Sequence, residues 1–347
     1  LTGGFPCQPF SYAGQRRGCL SFFIKSNLSN FARIMTKKEL YERQRWPLHQ
    51  KIDHTLGVID QFISRMNGKV YLAFSGGKDS TVLMHLCEML KPDILCVFVN
   101  TGCEYPSIVR FVRKMQADGH NVRIITPKVN PKEVWARYGF PMVSKKVSHH
   151  INLCRRDIQA GRPLPWYIND PKSFFKVADK WKYLFYTPYN INDHCCHVLK
   201  KEPQKRLAKE LELAPIIGVM ASESNMREKD YIRQGQCNSF DEECPMKSKS
   251  LPLSIWTDDD VWAFIKERNI EIADIYQKGA KRTGCVACGF GCQFADDTRL
   301  EILHRVYPKL YNHVMNFENN GVTYREAMRE MLKREGMFLP DENSQLK

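Results

Sequence analysis

Apolar residues recur along this chain in two alternating rhythms. Between Lys37 and Met66 the positions Leu48, Ile52, Leu56, Ile59, Phe62 and Ile63 follow helical spacing, which predicts one long amphipathic helix. β-Branched and aromatic runs then predict strands over residues 70–74, 94–100, 122–126 and 215–220, with helices between them over 80–90, 106–118 and 131–138. Strands that are apolar throughout and separated by helices predict an α/β fold, a doubly wound parallel sheet covered on both faces, with ligands at the carboxyl ends of its strands. From about 139 to 194 the rhythm loosens around Pro141, Pro163, Pro165, Pro171 and Pro188, the pattern of an insertion or lid. From Trp256 onward helices dominate: a segment capped by Thr257 and Asp258–Asp260 runs to Arg268, followed by helices over 296–319 and 324–334. The organisation expected is an α/β domain over 35–255, with its insertion, and a helical region over 256–347.

Composition narrows the class. A chain of 347 residues that is 43% hydrophobic can bury a full core. No apolar run approaches the roughly 18 residues of a membrane span, so a soluble, cytoplasmic protein with no membrane partner is expected. The net charge of +14 favours polyanionic partners, nucleotide or nucleic acid, unless the lysines simply cover solvated faces. Within 139–194 the bases Lys145, Lys146, Arg155, Arg156 and Arg162 interleave with Trp166, Tyr167, Phe174, Phe175, Trp181, Tyr183, Phe185 and Tyr186. That pattern suits phosphate contact and base stacking, although aromatics covering a core are commoner. The 13 cysteines include two tight groups, and in a nucleotide-site protein such groups point to metal binding over disulfides.

The chemistry concentrates in three places. Ser75-Gly76-Gly77-Lys78-Asp79-Ser80 follows a strand and opens a helix. Its glycines let backbone N–H groups approach an anion, the helix N-terminus adds a partial positive charge, Lys78 adds a full one, and Ser75 and Ser80 add hydroxyls. At the next strand ends, Asn100-Thr101-Gly102 offers small residues where a ribose or adenine would approach. Gly218, Glu223, Ser224 and Arg227 place a guanidinium suited to phosphate or sulfate at the same sheet edge, or else a plain surface Arg–Glu pair. Lastly, Cys195-Cys196, flanked by His194 and His197, precedes Cys285, Cys288 and Cys292 by about ninety residues. These thiols suit a [4Fe–4S] cluster, with structural Zn²⁺ the alternative and unligated core cysteines a third reading.

The Ser-Gly-Gly-x-Asp-Ser turn resembles the signature of the PP-loop ATP pyrophosphatases, which implies an adenine nucleotide alpha hydrolase-like fold, ATP and Mg²⁺. Over about 69–293 the order of parts resembles the adenylylsulfate and phosphoadenylylsulfate reductase family. The parts are the PP-loop, Thr101-Gly102-x-x-Tyr105-Pro106, Cys195-Cys196-x-x-x-Lys200-x-x-Pro203, Gly218-x-x-x-x-Glu223-Ser224-x-x-Arg227, Pro252-Leu253-x-x-Trp256-x-x-x-Asp260-Val261-Trp262, and Cys285-x-x-Cys288. The resemblance implies that Cys195, Cys196, Cys285 and Cys288 hold a [4Fe–4S] cluster, with Cys292 an extra thiol able to replace one of the adjacent pair. Two departures shift the expectation. The reductases' Glu-Cys-Gly-x-His tail has no counterpart here, the last cysteine being Cys292, and the full Ser-Gly-Gly-Lys-Asp-Ser turn accompanies ATP in related proteins.

The combination is similar to ATP-using iron–sulfur sulfurtransferases, among them DNA-phosphorothioation enzymes. That likeness implies substrate adenylation with pyrophosphate release, with Lys78 and Asp79 catalytic, a nucleic-acid acceptor, and a sulfur-donor or reductant protein as partner. The alternatives are a true sulfate-nucleotide reductase and a non-catalytic, redox-sensing nucleotide binder. Residues 1–18 resemble the Pro-Cys-Gln loop of DNA cytosine-5 methyltransferases. No Glu-Asn-Val acid follows, so residues 1–34 are expected to be a remnant of a neighbouring gene with Cys7 inert, and Met35 a translation start.

Overall fold

The computed structural model describes residues 35–173 and 175–342, so the methyltransferase-like stretch, Cys7 included, lies outside the described residues. Trp46-Pro47 divides the single helix expected over 37–66 into α1 (Lys37–Gln44) and α2 (Leu48–Arg65). Proline disfavours helical backbone at the residue before it and cannot donate to the preceding turn. There follow β1 (Val70–Phe74), α3 (Lys78–Glu88), β2 (Leu95–Val99), α4 (Pro106–Ala117), β3 (Val122–Ile125) and α5 (Pro131–Tyr138), each within two residues of the pattern's expectation.

The loosened stretch is more ordered than its prolines imply. After β4 (Met142–Val143) it carries α6 (Lys145–Gln159), capped by the Ser144 hydroxyl and burying Ile151 and Cys154 on one face. A π-helical turn (His197–Lys201) leads into α7 (Glu202–Glu210), and β5 (Ala214–Ile217) is shorter than expected. Next come α8 (Asn225–Gln234), β6 (Asn238–Ser239), β7 (Lys249–Ser250), α9 (Asp258–Arg268) and β8 (Gly289–Phe290). The helix expected over 296–319 is split by Pro308 into α10 (Arg299–Val306) and α11 (Pro308–Met315), and the hairpin β9 (Glu318–Asn319) and β10 (Val322–Thr323) precedes α12 (Tyr324–Lys333).

Six strands form one sheet in the order β3-β2-β1-β5-β7-β6, parallel except for β6. Successive strands β2 and β3 build outward from one side of β1, whereas β5 lies against its other side in the register Leu72↔Ile216. That reversal is a topological switch point, and open α/β sheets bind ligands in the crevice outside the carboxyl ends of the strands at such a point. A second small pairing, β4 with β8, ties the insertion to the cysteine turn. One hydrophobic core holds Leu72, Phe74 and Phe98 of the sheet together with Tyr105, Trp135, Phe140 and the C-terminal Phe317 and Tyr324, while Tyr71, Val97 and Leu207 make a smaller cluster. Trp181 and Phe185 of the insertion cover the core, whereas Trp166 and Tyr186 are exposed. Among the described residues no helix is long and apolar enough to cross a membrane.

Candidate nucleotide and thiol site

The turn after β1 is shaped by two glycines with separate reasons. Gly76 has φ +70°, and a Cβ there would stand 2.7 Å from Val112 Cγ2 and 2.9 Å from Ile108 Cγ2, so α4 packs directly beneath the turn. Gly77 caps α3 with extended backbone, and its missing side chain leaves room for Thr283, whose Oγ1 would lie 2.6 Å from a Cβ. The hydroxyls brace the loop: Ser75 N–H donates to Ser80 Oγ at 3.2 Å, and Ser80 Oγ and Thr81 Oγ1 both donate to the Gly77 carbonyl.

Lys78 is buried, at 4% side-chain exposure, and its ammonium donates to Asp79 Oδ1 at 2.9 Å and Asp258 Oδ1 at 2.5 Å. Burial alone would lower its pKa, and the two carboxylates outweigh burial, leaving it raised. Helix α9 delivers Asp258 and is itself anchored from behind. The buried Lys51 ammonium meets Asp260 at 2.5 Å, and Trp256 Nε1–H donates to Thr55 Oγ1 at 2.8 Å. Trp262 on α9 donates to Asp258 Oδ2 at 3.1 Å and meets the Tyr276 ring edge-on. The Lys78 amide donates to Tyr276 Oη at 2.8 Å, and that hydroxyl touches Thr283 Oγ1 at 3.1 Å.

The remaining nucleotide-site candidates divide. Thr101 N–H and Oγ1 donate to the Glu104 carboxylate at 2.9 and 2.7 Å, and Asn100 Oδ1 accepts from Gly102. Burial raises the Glu104 pKa against Thr101 and Lys200. Gly218 at the end of β5 lets the Asp79 carbonyl approach, at 3.4 Å from where a Cβ would be. Glu223, Ser224 and Arg227 bond locally: Glu223 accepts from Met220 N–H and pairs with Arg227, and Ser224 caps α8.

The two thiol groups come together from opposite sides. Cys195 and Cys196 lead into the π-helical turn, a feature frequent at functional sites. Electrostatic coupling reaches Cys195 from both Cys285 and Cys288, and Cys285 from Cys196. Interaction between the adjacent thiols, with Lys145 and Lys200 and against burial, holds Cys196 below the ordinary thiol range, and the same interaction together with burial holds Cys195 above it. Burial pushes Cys285 up to about 12. Cys292 stands apart, its thiol donating to the Cys288 carbonyl at 3.2 Å with Arg299 at 3.8 Å. Four thiols from two chain segments, with Lys145, Lys200 and Arg299 nearby, are the donor chemistry of a thiolate-held cluster. A coordination shell is not formed: among the described residues no three His, Cys, Asp or Glu side chains are arranged to hold a metal ion.

The phosphate turn and one thiol of the cysteine group share a cleft, whose lining includes Ser75, Glu104, Lys200, Thr283 and Cys285. The motifs name most of it. Asp258, Tyr276, Thr283 and the buried Cys103, whose carbonyl accepts from Val286 N–H, are additions of the fold. Only the Asp258–Asp260 capping run and the nearness of Thr283 to Cys285 signal them in the sequence.

A mainly parallel sheet whose first strand ends in a Ser-Gly-Gly-Lys-Asp-Ser turn at the crevice defines a PP-loop-type nucleotide-binding fold. The chain belongs to the phosphoadenosine phosphosulfate reductase domain family, whose model matches residues 69–161 and 170–289. It is 25% identical over 281 residues to an uncharacterized protein of Methanocaldococcus jannaschii, covering 80% of this chain and 55% of that one. It is 21% identical over 253 residues to the adenosine 5'-phosphosulfate reductase of Geobacillus kaustophilus, covering 72% and 85%. The crystal structure of phosphoadenylyl-sulfate reductase from Candida auris aligns with a TM-score of 0.41 at 15% identity, covering 72% of this chain and 96% of that one. The chain spans about half the length of the two Methanocaldococcus relatives it matches.

Proposed function

We propose that the chain is an ATP-using PP-loop enzyme that adenylates a substrate, releases pyrophosphate, and passes the activated substrate to sulfur-transfer chemistry at the neighbouring thiols. The observation that supports this reading is the shared cleft, with Ser75 of the phosphate turn on one wall and Cys285 on another. A substrate oxygen attacks the α-phosphorus in line. The Lys78 ammonium and the amides of 75–80 stabilise the charge that develops on the departing pyrophosphate. Asp79, at the mouth of the turn, would hold Mg²⁺, which when bound supplies further neutralisation of phosphate charge. Cys195, Cys196, Cys285 and Cys288 would hold a [4Fe–4S] cluster, or Zn²⁺ in the alternative; bound there, the cluster supplies a redox-active centre beside the cleft. We place the reaction in the cytoplasm, with a nucleic-acid acceptor and a sulfur-donor or reductant protein as partners.

The test uses ATP labelled at the α-phosphate with a panel of acceptors. AMP and pyrophosphate should form with the wild type and fall by about 10²–10³ in Lys78→Ala and Asp79→Ala. Formation at an undiminished rate in both variants refutes the assignment. The likeness to adenosine 5'-phosphosulfate reductases favours one competing reading, reduction of a sulfate nucleotide. Sulfite release from adenylylsulfate in the presence of thioredoxin would select it.

A further inference from the structure

The two strongest anion donors of the phosphate turn are both engaged by oxygens of the chain itself. The Lys78 N–H is among the first amides of α3, which have no partner within the helix and are the groups an anion at a helix N-terminus uses. It donates to Tyr276 Oη at 2.8 Å. The Lys78 ammonium is divided between Asp79 and Asp258. Thr283 Oγ1 closes over Gly77, and Trp262 holds the arrangement by its bond to Asp258 and its edge-on contact with Tyr276.

We infer that Tyr276 and Asp258 form a latch across the phosphate turn, which the phosphates of an incoming nucleotide displace, shifting the segment from Thr283 to Cys285 as they enter. This rests on the nucleotide reading of the turn. The burial of the partners decides which side yields. Lys78 has 4% side-chain exposure and keeps its bond to Asp79, whereas Asp258 is 60% exposed and is released into water at little cost. The exchange replaces a neutral phenol at the Lys78 amide by a charged phosphate oxygen, and charge-assisted hydrogen bonds are roughly twice as strong as neutral ones.

The covering segment is built to move. Gly279 has φ +94°, and a Cβ on Gly284 would meet nothing within 4 Å, so the stretch carrying Thr283 has a glycine at each end. Thr283 lies two positions before Cys285, and both line the cleft. Nucleotide entry therefore alters the cysteine turn through the chain itself, without any contact between nucleotide and thiol.

The experiment measures equilibrium binding of ATP with Mg²⁺ to the full chain, Tyr276→Phe and Asp258→Asn, alongside hydrogen–deuterium exchange in the wild type with and without ATP. Tyr276→Phe keeps the ring against Trp262, and Asp258→Asn changes an exposed side chain. Each variant should bind ATP about fivefold more tightly, the worth of one net hydrogen bond no longer competing. In the wild type, ATP should slow exchange over 75–80 and speed it over 276–285. Weaker binding by Tyr276→Phe, or slowed exchange over both segments, overturns the latch, because Tyr276 would then close onto the phosphates. Equal affinities in all three proteins overturn it as well and leave the nucleotide reading standing. Absence of ATP binding in all three removes the nucleotide reading and the latch together.

Discussion

Gly76 shows how little freedom the phosphate turn has. Its φ of +70° is one that side chains rarely adopt, and a Cβ would be driven into Val112 and Ile108 of α4. Gly76→Ala is therefore expected to destabilise the fold by about 1–3 kcal/mol, combining backbone strain with overpacking, as read by the urea midpoint at constant slope. Gly57, in the middle of α2, gives the control: nothing lies within 4 Å of a Cβ there, so Gly57→Ala should stabilise by about 0.5–1 kcal/mol. At this scale the turn is legible in the sequence because six contiguous residues carry all its features. Tyr276 and Asp258 are not, because they reach Lys78 across 198 and 180 positions, and no local pattern records such an approach.

Helices α2 and α9 are joined by a buried charge pair that fixes where Asp258 and Trp262 sit. Lys51, at 2% side-chain exposure, bonds both Asp260 and the Gln44 carbonyl. Removing one partner of a buried pair strands the other, so Lys51→Met should cost about 3–5 kcal/mol in denaturant unfolding, with Lys51→Met/Asp260→Leu recovering part of the loss. The elements themselves were largely readable. Strands β1 to β3 and their helices follow from apolar runs of alternating period, since a sheet covered on both faces leaves a strong imprint. The breaks at Pro47 and Pro308 follow from proline chemistry; apolar positions continue across Pro308 and mask it, whereas the run that begins at Leu48 starts only after Pro47, where the break could be read. Helix α6 escapes the pattern for another reason: its first half is Lys145-Lys146-Val147-Ser148-His149-His150, and it buries Ser148 and His150 beside Ile151 and Cys154, so polar residues occupy its inward face.

Over the whole molecule, the C-terminal region is packed into the same core as the sheet. Trp135 lies against Phe317 and Tyr324, and Phe140 against Tyr324. A chain cut after residue 255 is expected to lose cooperative unfolding and to bind a hydrophobic dye, because these rings would face water. Stability should also vary with pH through His54. Burial first, and Arg43 second, lower its pKa from 6.5 to about 4. The unfolded chain therefore binds the extra proton between those values. The contribution is complete above pH 6.5 and is lost as pH falls towards 4, at up to about 1.4 kcal/mol per unit, and His54→Gln should flatten that slope. The π-helical turn at His197–Lys201 has its own reach at this scale. A π turn holds one residue more than an α-helical turn spanning the same rise, and one residue is worth roughly 100° of rotation. The turn therefore acts as a phase shifter between the helix that covers the sheet and the sulfur atoms ahead of it. Deleting Val198 would leave a regular helix whose two adjacent thiols face a different compass bearing, away from their counterparts across the cleft.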